Sequence, residues 1–83
     1  MKRLIPIILA LLVIGISPFV SLAGELVDAQ ERVRLNPDDA DAHYNLGNAY
    51  YDLGQYQEAV ASYKEAIRIK PDYAKAHYNL GYV

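Results

Sequence analysis

The sequence reads AHYNLG at residues 42–47 and again, without a change, at residues 76–81. Aligning residues 37–49 with residues 71–83 gives nine identities in 13 positions, all at a single offset of 34 residues. A fixed period of this length is typical of stacked supersecondary units, because one unit cannot bury its apolar face alone. The chain is therefore predicted to form an array of stacked repeats.

The first part of the repeat reads as a helix. Asp38 follows Pro37, and we expect its carboxylate to cap the helix start by accepting from free backbone N–H groups. Gly54 supplies the left-handed residue that ends the helix. Apolar residues recur between these points at helical spacing, namely Ala42, Leu46, Ala49, Tyr50 and Leu53.

A second helix is predicted from about Tyr56. Its end is marked by Lys70 and Pro71, because the residue before a proline disfavours the helical region. Asp72 is then expected to cap the next helix. One face of the second helix is formed by Tyr56, Ala59, Val60, Tyr63, Ala66 and Ile67. Among the small residues, Gly47 and Ala59 mark a close approach of the two helices, and Ala66 marks a contact with the next repeat.

The spacing of these residues resembles the tetratricopeptide repeat. The matching positions are His43, Leu46, Gly47, Tyr50, Ala59, Tyr63 and Pro71. The chain departs from the usual pattern at His43, where tryptophan is common, and at Tyr63, where phenylalanine is common. The resemblance implies an all-α, helix-turn-helix solenoid with one complete repeat at residues 40–73 and the start of another at residues 74–83.

Upstream, the segment at residues 24–37 also ends at a proline followed by an aspartate, in Asn36-Pro37-Asp38. A helix is predicted from about Glu25 to Leu35, with an apolar stripe formed by Leu26, Ala29, Val33 and Leu35. Because Glu25 and Arg32 occupy positions where alanines are expected, this segment is interpreted as a degenerate half-repeat that acts as an N-terminal capping helix.

Residues 1–23 have the features of a secretory signal peptide. Two basic residues open the segment, residues 4–23 carry no charge, and SLA at residues 21–23 places small residues at a cut after Ala23. The alternative is an uncleaved membrane anchor, since this apolar run of 20 residues is just long enough to span a bilayer. Either reading predicts an exported protein, periplasmic or secreted if cleaved, and otherwise anchored and facing outside the cytoplasm.

Catalytic and metal chemistry are not expected in this chain. It has no cysteine, and its two histidines, His43 and His77, stand one repeat apart, which is too far to share a zinc ion. Both are therefore interpreted as bulky packing residues. No nucleophile–base set or phosphate loop is present, so we expect neither an enzyme nor a cofactor. A formal net charge of −2 gives no electrostatic basis for binding nucleic acid.

A polar stripe on the first helix is the remaining candidate site. Asp41, Asn45, Asn48 and Asp52 share one face at helical spacing, and Tyr44 and Tyr51 flank it. The corresponding residues of the next repeat are Lys75, Asn79 and Tyr82. The family resemblance implies that this face lines a concave peptide-binding groove, in which Asn45 and Asn79 bond the peptide. The alternative is an ordinary solvated helix face.

These features predict an exported scaffold for protein–protein interaction that binds protein or peptide partners in its groove. An alternative is that the repeats precede the catalytic domain of a larger enzyme, such as a glycosyltransferase. The second repeat stops after its first helix, so we expect an N-terminal fragment of a longer array. A short protein that completes its core by self-association is the other reading.

Overall fold

The computed structural model describes residues 18–83. Within this range the chain forms four helices and no β-strand: α1 (Pro18–Leu35), α2 (Ala40–Asp52), α3 (Tyr56–Ile69) and α4 (Ala74–Tyr82). Loops of three or four residues join them, and each helix packs on the next, with the most extensive contact between α2 and α3. The prediction of an all-α, helical-repeat fold is confirmed.

The predicted signal segment lies outside the described residues as far as residue 17, and the predicted cut site, Ala23, lies within α1. In the part of the chain that is described, none of the helices has the length and apolar character needed to cross a membrane.

Within the described residues, helix α1 spans Pro18–Leu35, so it is already helical before the predicted start near Glu25, and it ends at Leu35 as predicted. Ala29 is buried, and Leu26 and Val33 pack against the same cluster on α2.

The prediction that Leu35 belongs to this apolar stripe is wrong, because 61% of its surface is exposed. Leu35 follows Val33 by two residues, and at 3.6 residues per turn this places the two side chains on nearly opposite sides of the helix.

The caps of the repeated helices differ from the prediction by one residue. Asp39, not Asp38, caps α2, and its Oδ1 accepts from the N–H groups of Asp41 (3.0 Å) and Ala42 (3.4 Å). Tyr73 stands at the equivalent position before α4 and makes no side-chain capping bond, so Asp72 does not cap that helix. Both errors arise because each helix starts one residue later than assumed.

The predicted end of α2 is confirmed, since Gly54 has a φ of 75°, a left-handed conformation that favours glycine. Helix α3 spans Tyr56–Ile69 and is followed by Lys70 and Pro71, as predicted.

The predicted close approach of α2 and α3 is confirmed at Gly47. A Cβ atom built on Gly47 would lie 2.5 Å from Cε1 of Tyr63, so only glycine leaves room for this ring. Ala59 is completely buried. Ala66 packs with Ala76 of the following repeat, which confirms its predicted position between repeats.

Tyr56 was predicted on the apolar face of α3, but 53% of its surface is exposed. It is the first residue of the helix, at the tip of the helical hairpin, where the neighbouring helix offers little cover. Its ring contacts that of Tyr51, with 5.3 Å between centroids.

The two histidines hold loops rather than filling the core. His43 Nε2 donates to the carbonyl oxygen of Pro37 at 2.7 Å, and His77 Nε2 donates to that of Pro71 at the same distance. His77 is exposed and His43 is half-buried. The prediction that both histidines are packing residues is therefore wrong. Each makes the same hydrogen bond, which joins the loop to the helix that follows it.

Candidate binding groove

An open groove of about 460 Å³ lies between α2 and α4, with α3 at its base. Its lining combines five residues predicted from the polar stripe with two that were not predicted. The predicted residues are Asn48, Tyr51, Asp52, Asn79 and Tyr82, and the additional ones are Tyr63 and Tyr78. Tyr78 could have been found from the sequence, because it is the equivalent of Tyr44 one period later.

A hydrogen-bond network forms the floor of this groove. Asn48 Oδ1 accepts from the Tyr63 hydroxyl at 2.5 Å and from Asn79 Nδ2 at 3.0 Å. Asn79 Nδ2 also donates to the Tyr44 hydroxyl at 3.2 Å. The bonds join three helices, so they hold both amide groups in one orientation before any ligand arrives.

Tyr44 was predicted to flank the groove, but it belongs to the packed interface between repeats. It is half-buried, and its ring lies between those of Tyr63 and Tyr73, with centroid separations of 6.0 and 5.2 Å. Tyr44 therefore contributes to the groove only through the bond its hydroxyl accepts from Asn79.

Asp41 is also engaged within the fold. Its carboxylate accepts a hydrogen bond from the Tyr73 hydroxyl, which joins the start of α2 to the residue before α4. Burial, together with the bond to Asp41, raises the pKa of the Tyr73 hydroxyl well above its ordinary value. Lys75, the predicted counterpart of Asp41, is exposed and does not line the groove.

Asn45 lies in a second, smaller cleft of about 220 Å³ between α1 and α2. The cleft is also lined by Glu25, Asp28, Ala29, Arg32, Asn48, Ala49 and Asp52. Asn45 and Asn79 are equivalent in sequence, yet only Asn79 reaches the groove, because each faces a different neighbouring helix. Asn48 and Asp52 line both cavities, so the two form one continuous polar surface along α2.

The side chains that line the groove are aromatic, amide and acidic groups. Its lining offers tyrosine rings, amide groups and the carboxylate of Asp52, with no histidine, serine or basic residue among them. Within residues 18–83, no three histidine or acidic side chains are grouped so that they could hold a metal ion.

A comparison with known protein families matches the helices that form this groove. A family model described as TPR repeat matches residues 31–54 and 47–83, which together span more than half of the chain. No curated protein matches the sequence. Repeats of this kind generally mediate protein–protein interaction. The two matches cover all three helices that line the groove, and we conclude that the chain belongs to the TPR repeat family.

Proposed function

We propose that this protein is an exported interaction scaffold that binds a segment of a partner protein in the groove between α2 and α4. The observation that carries the proposal is the hydrogen-bonded pair Asn48 and Asn79, set in a cavity lined by tyrosines. Polar groups whose orientation is already settled lose little further entropy when a ligand binds.

The tyrosines supply the contact area. Tyr78 and Tyr82 each expose 72% of their surface, and Tyr51 is half-buried on the opposite wall. Tyrosine is common in contact surfaces because it offers a large rigid area and a polar end with few rotatable bonds. Isolated exposed aromatic residues are ordinary, but three around one cavity favour a binding surface over a plain solvated helix face.

We propose binding without catalysis by this chain. No lining residue of the groove can act as a serine, histidine or cysteine nucleophile, and Ser62, on α3, is buried. The protein is therefore expected to act by bringing partners together, and its activity would be measured as binding.

Export is proposed from the sequence of the N-terminal segment. Its basic start, its uncharged run and the small residues before Gly24 support a signal peptide cleaved after Ala23. N-terminal sequencing of protein recovered from outside the cytoplasm should begin at Gly24. A recovered protein that still carries Met1 would establish the membrane anchor instead.

Photo-crosslinking tests the groove directly. A photoreactive benzoylphenylalanine placed at Tyr78, in the groove, is expected to capture protein segments when the 83-residue chain is expressed in its own cells. The matched control carries the same group at Gln57, which is exposed on α3 and does not line the groove. Equal capture at both positions, or none at Tyr78, would show that the groove is not the binding surface.

A further inference from the structure

We propose that the groove binds an arginine side chain of the partner segment, held between tyrosine rings and the carboxylate of Asp52. This inference rests on the proposed function and gives the chemistry of its ligand. It differs from the expectation that Asn45 and Asn79 bond the peptide, and the hydrogen bonds of the groove floor explain why for Asn79.

The amide group of Asn79 and the hydroxyl of Tyr63 have used their donors internally. The Nδ2 group of Asn79 carries two hydrogens, and it donates to both Asn48 and Tyr44. The hydroxyl hydrogen of Tyr63 is committed to Asn48. A carboxylate that bonded Asn79, the residue expected to bond the peptide, would have to displace these internal acceptors, and leaving a part-buried polar group unpaired has a cost. Asn79 is therefore poorly placed to donate to an anionic ligand.

The charges along the groove favour a cation. Asp52 is exposed and is the only Asp, Glu, Lys, Arg or His among the residues that line the groove. Asp52 also borders the α1–α2 cleft, which adds the carboxylates of Glu25 and Asp28 against the single cation of Arg32. Arg32 lies 3.9 Å from Asp28, and neither Glu25 nor Asp52 forms a salt bridge within residues 18–83. The surface along α2 thus carries an excess of negative charge.

The aromatic residues present faces on which a cation can rest. Tyr78 and Tyr82 stand one turn apart on α4, with their rings 6.4 Å apart and inclined by only 22°. Tyr51 lines the opposite wall, next to Asp52. A cation over a tyrosine face is attracted by the ring quadrupole. The same contact already occurs inside this protein, where Lys70 Nζ lies 5.0 Å from the centre of the Tyr73 ring.

Arginine fits this set better than lysine. The guanidinium group is planar, so it can stack on a ring face and still present two parallel N–H groups to a carboxylate. Lysine offers a compact, strongly hydrated point charge that can do only one of these well. The groove supplies both partners, an exposed pair of rings on α4 and a carboxylate on α2.

The test uses the 83-residue chain and four short fluorescent Gly/Ser peptides that are identical except for two positions, which hold arginine, lysine, glutamine or glutamate. Binding is measured by fluorescence anisotropy. We expect the arginine peptide to bind about tenfold more tightly than the glutamine peptide, more tightly than the lysine peptide, and far more tightly than the glutamate peptide. Asp52→Asn should weaken arginine binding about fivefold. Glu58→Gln, an equal charge change at an exposed residue of α3 outside the groove, should leave it unchanged.

The inference is overturned if the arginine peptide binds no more tightly than the lysine, glutamine or glutamate peptide. It is also overturned if Asp52→Asn and Glu58→Gln bind the arginine peptide equally well. If Asp52→Asn keeps the melting temperature of the unchanged protein, its loss of binding is not caused by a loss of fold. The proposed function fails by a different result, the absence of groove-specific capture at Tyr78. Capture at Tyr78 without arginine preference therefore removes only the ligand assignment.

Discussion

Replacing Gly47 by alanine adds one methyl group at the tightest point of the helical hairpin. The new Cβ would lie 2.5 Å from Cε1, 2.6 Å from Cδ1 and 3.0 Å from Cζ of Tyr63. These are atoms of the ring body, so a rotation of the side-chain end cannot relieve the contact. Tyr63 exposes only 1% of its surface, and its hydroxyl is held by Asn48. Either the ring or one of the helices must move.

The expected cost follows from three terms. Overpacking a core by a methyl group costs about 1–3 kcal/mol, and the rigid ring places this site at the upper end. Movement of Tyr63 would also weaken its bond to Asn48, which is worth about 1 kcal/mol. Alanine favours a helix over glycine by about 1 kcal/mol, which offsets part of the loss. The free energy of unfolding should therefore fall by about 2–3 kcal/mol.

The measurement is urea unfolding of the 83-residue chain, followed by circular dichroism. Gly81→Ala is the matched control, because Gly81 is the equivalent residue one repeat later and a Cβ there meets nothing within 4 Å. This variant should be neutral or slightly stabilised. In a Tyr63→Leu background, which removes the ring, Gly47→Ala should lose most of its effect. If Gly47→Ala and Gly81→Ala unfold at the same urea concentration, the packing argument is wrong.

Three further outcomes are expected. Ala59→Leu should lower the free energy of unfolding by about 1–3 kcal/mol, because Ala59 is completely buried, whereas Ala61→Leu on the exposed side of α3 should change it little. Tyr73→Phe removes the hydroxyl that donates to Asp41 and should cost about 1 kcal/mol in urea unfolding at neutral pH. The raised pKa values of Tyr73 and Tyr63, both caused first by burial, predict alkaline unfolding. Since the folded state favours the neutral phenols, their contribution is complete below the unfolded pKa of about 10 and is lost as pH rises above it. The fall in melting temperature above that pH should be smaller in Tyr73→Phe, and an equal fall in both proteins would contradict this account.

The helical repeat could be predicted from the sequence because its signals are local. The period of 34 residues, Gly54, and the Lys70–Pro71 pair all act through the backbone or through neighbours in the chain. A left-handed residue ends a helix, and a proline restricts the residue before it, whatever the rest of the molecule does. For the same reason α2 and α3 could be placed almost to the residue. Where the start of a helix depends on its cap, the prediction was wrong by one position, because Asp38 and Asp39 are both chemically able to cap.

The groove could be predicted only in part, because a helical wheel shows which residues share a face and not which helix lies opposite. Asn48, Asp52 and Asn79 of the predicted stripe do line the groove. Asn45 lies in the cleft between α1 and α2 instead, although its local sequence is identical to that of Asn79.

Two other residues predicted to line the groove form contacts within the fold instead. Tyr44 packs between the rings of Tyr63 and Tyr73, and Asp41 bonds the Tyr73 hydroxyl. Both contacts depend on Tyr73, which stands where the preceding repeat has Asp39. The sequence by itself determined the repeat, its helices and their small contact residues. Only the tertiary structure decided which polar groups remain available to a ligand, because hydrogen bonds and ring contacts between residues about 30 positions apart form only after the helices have packed.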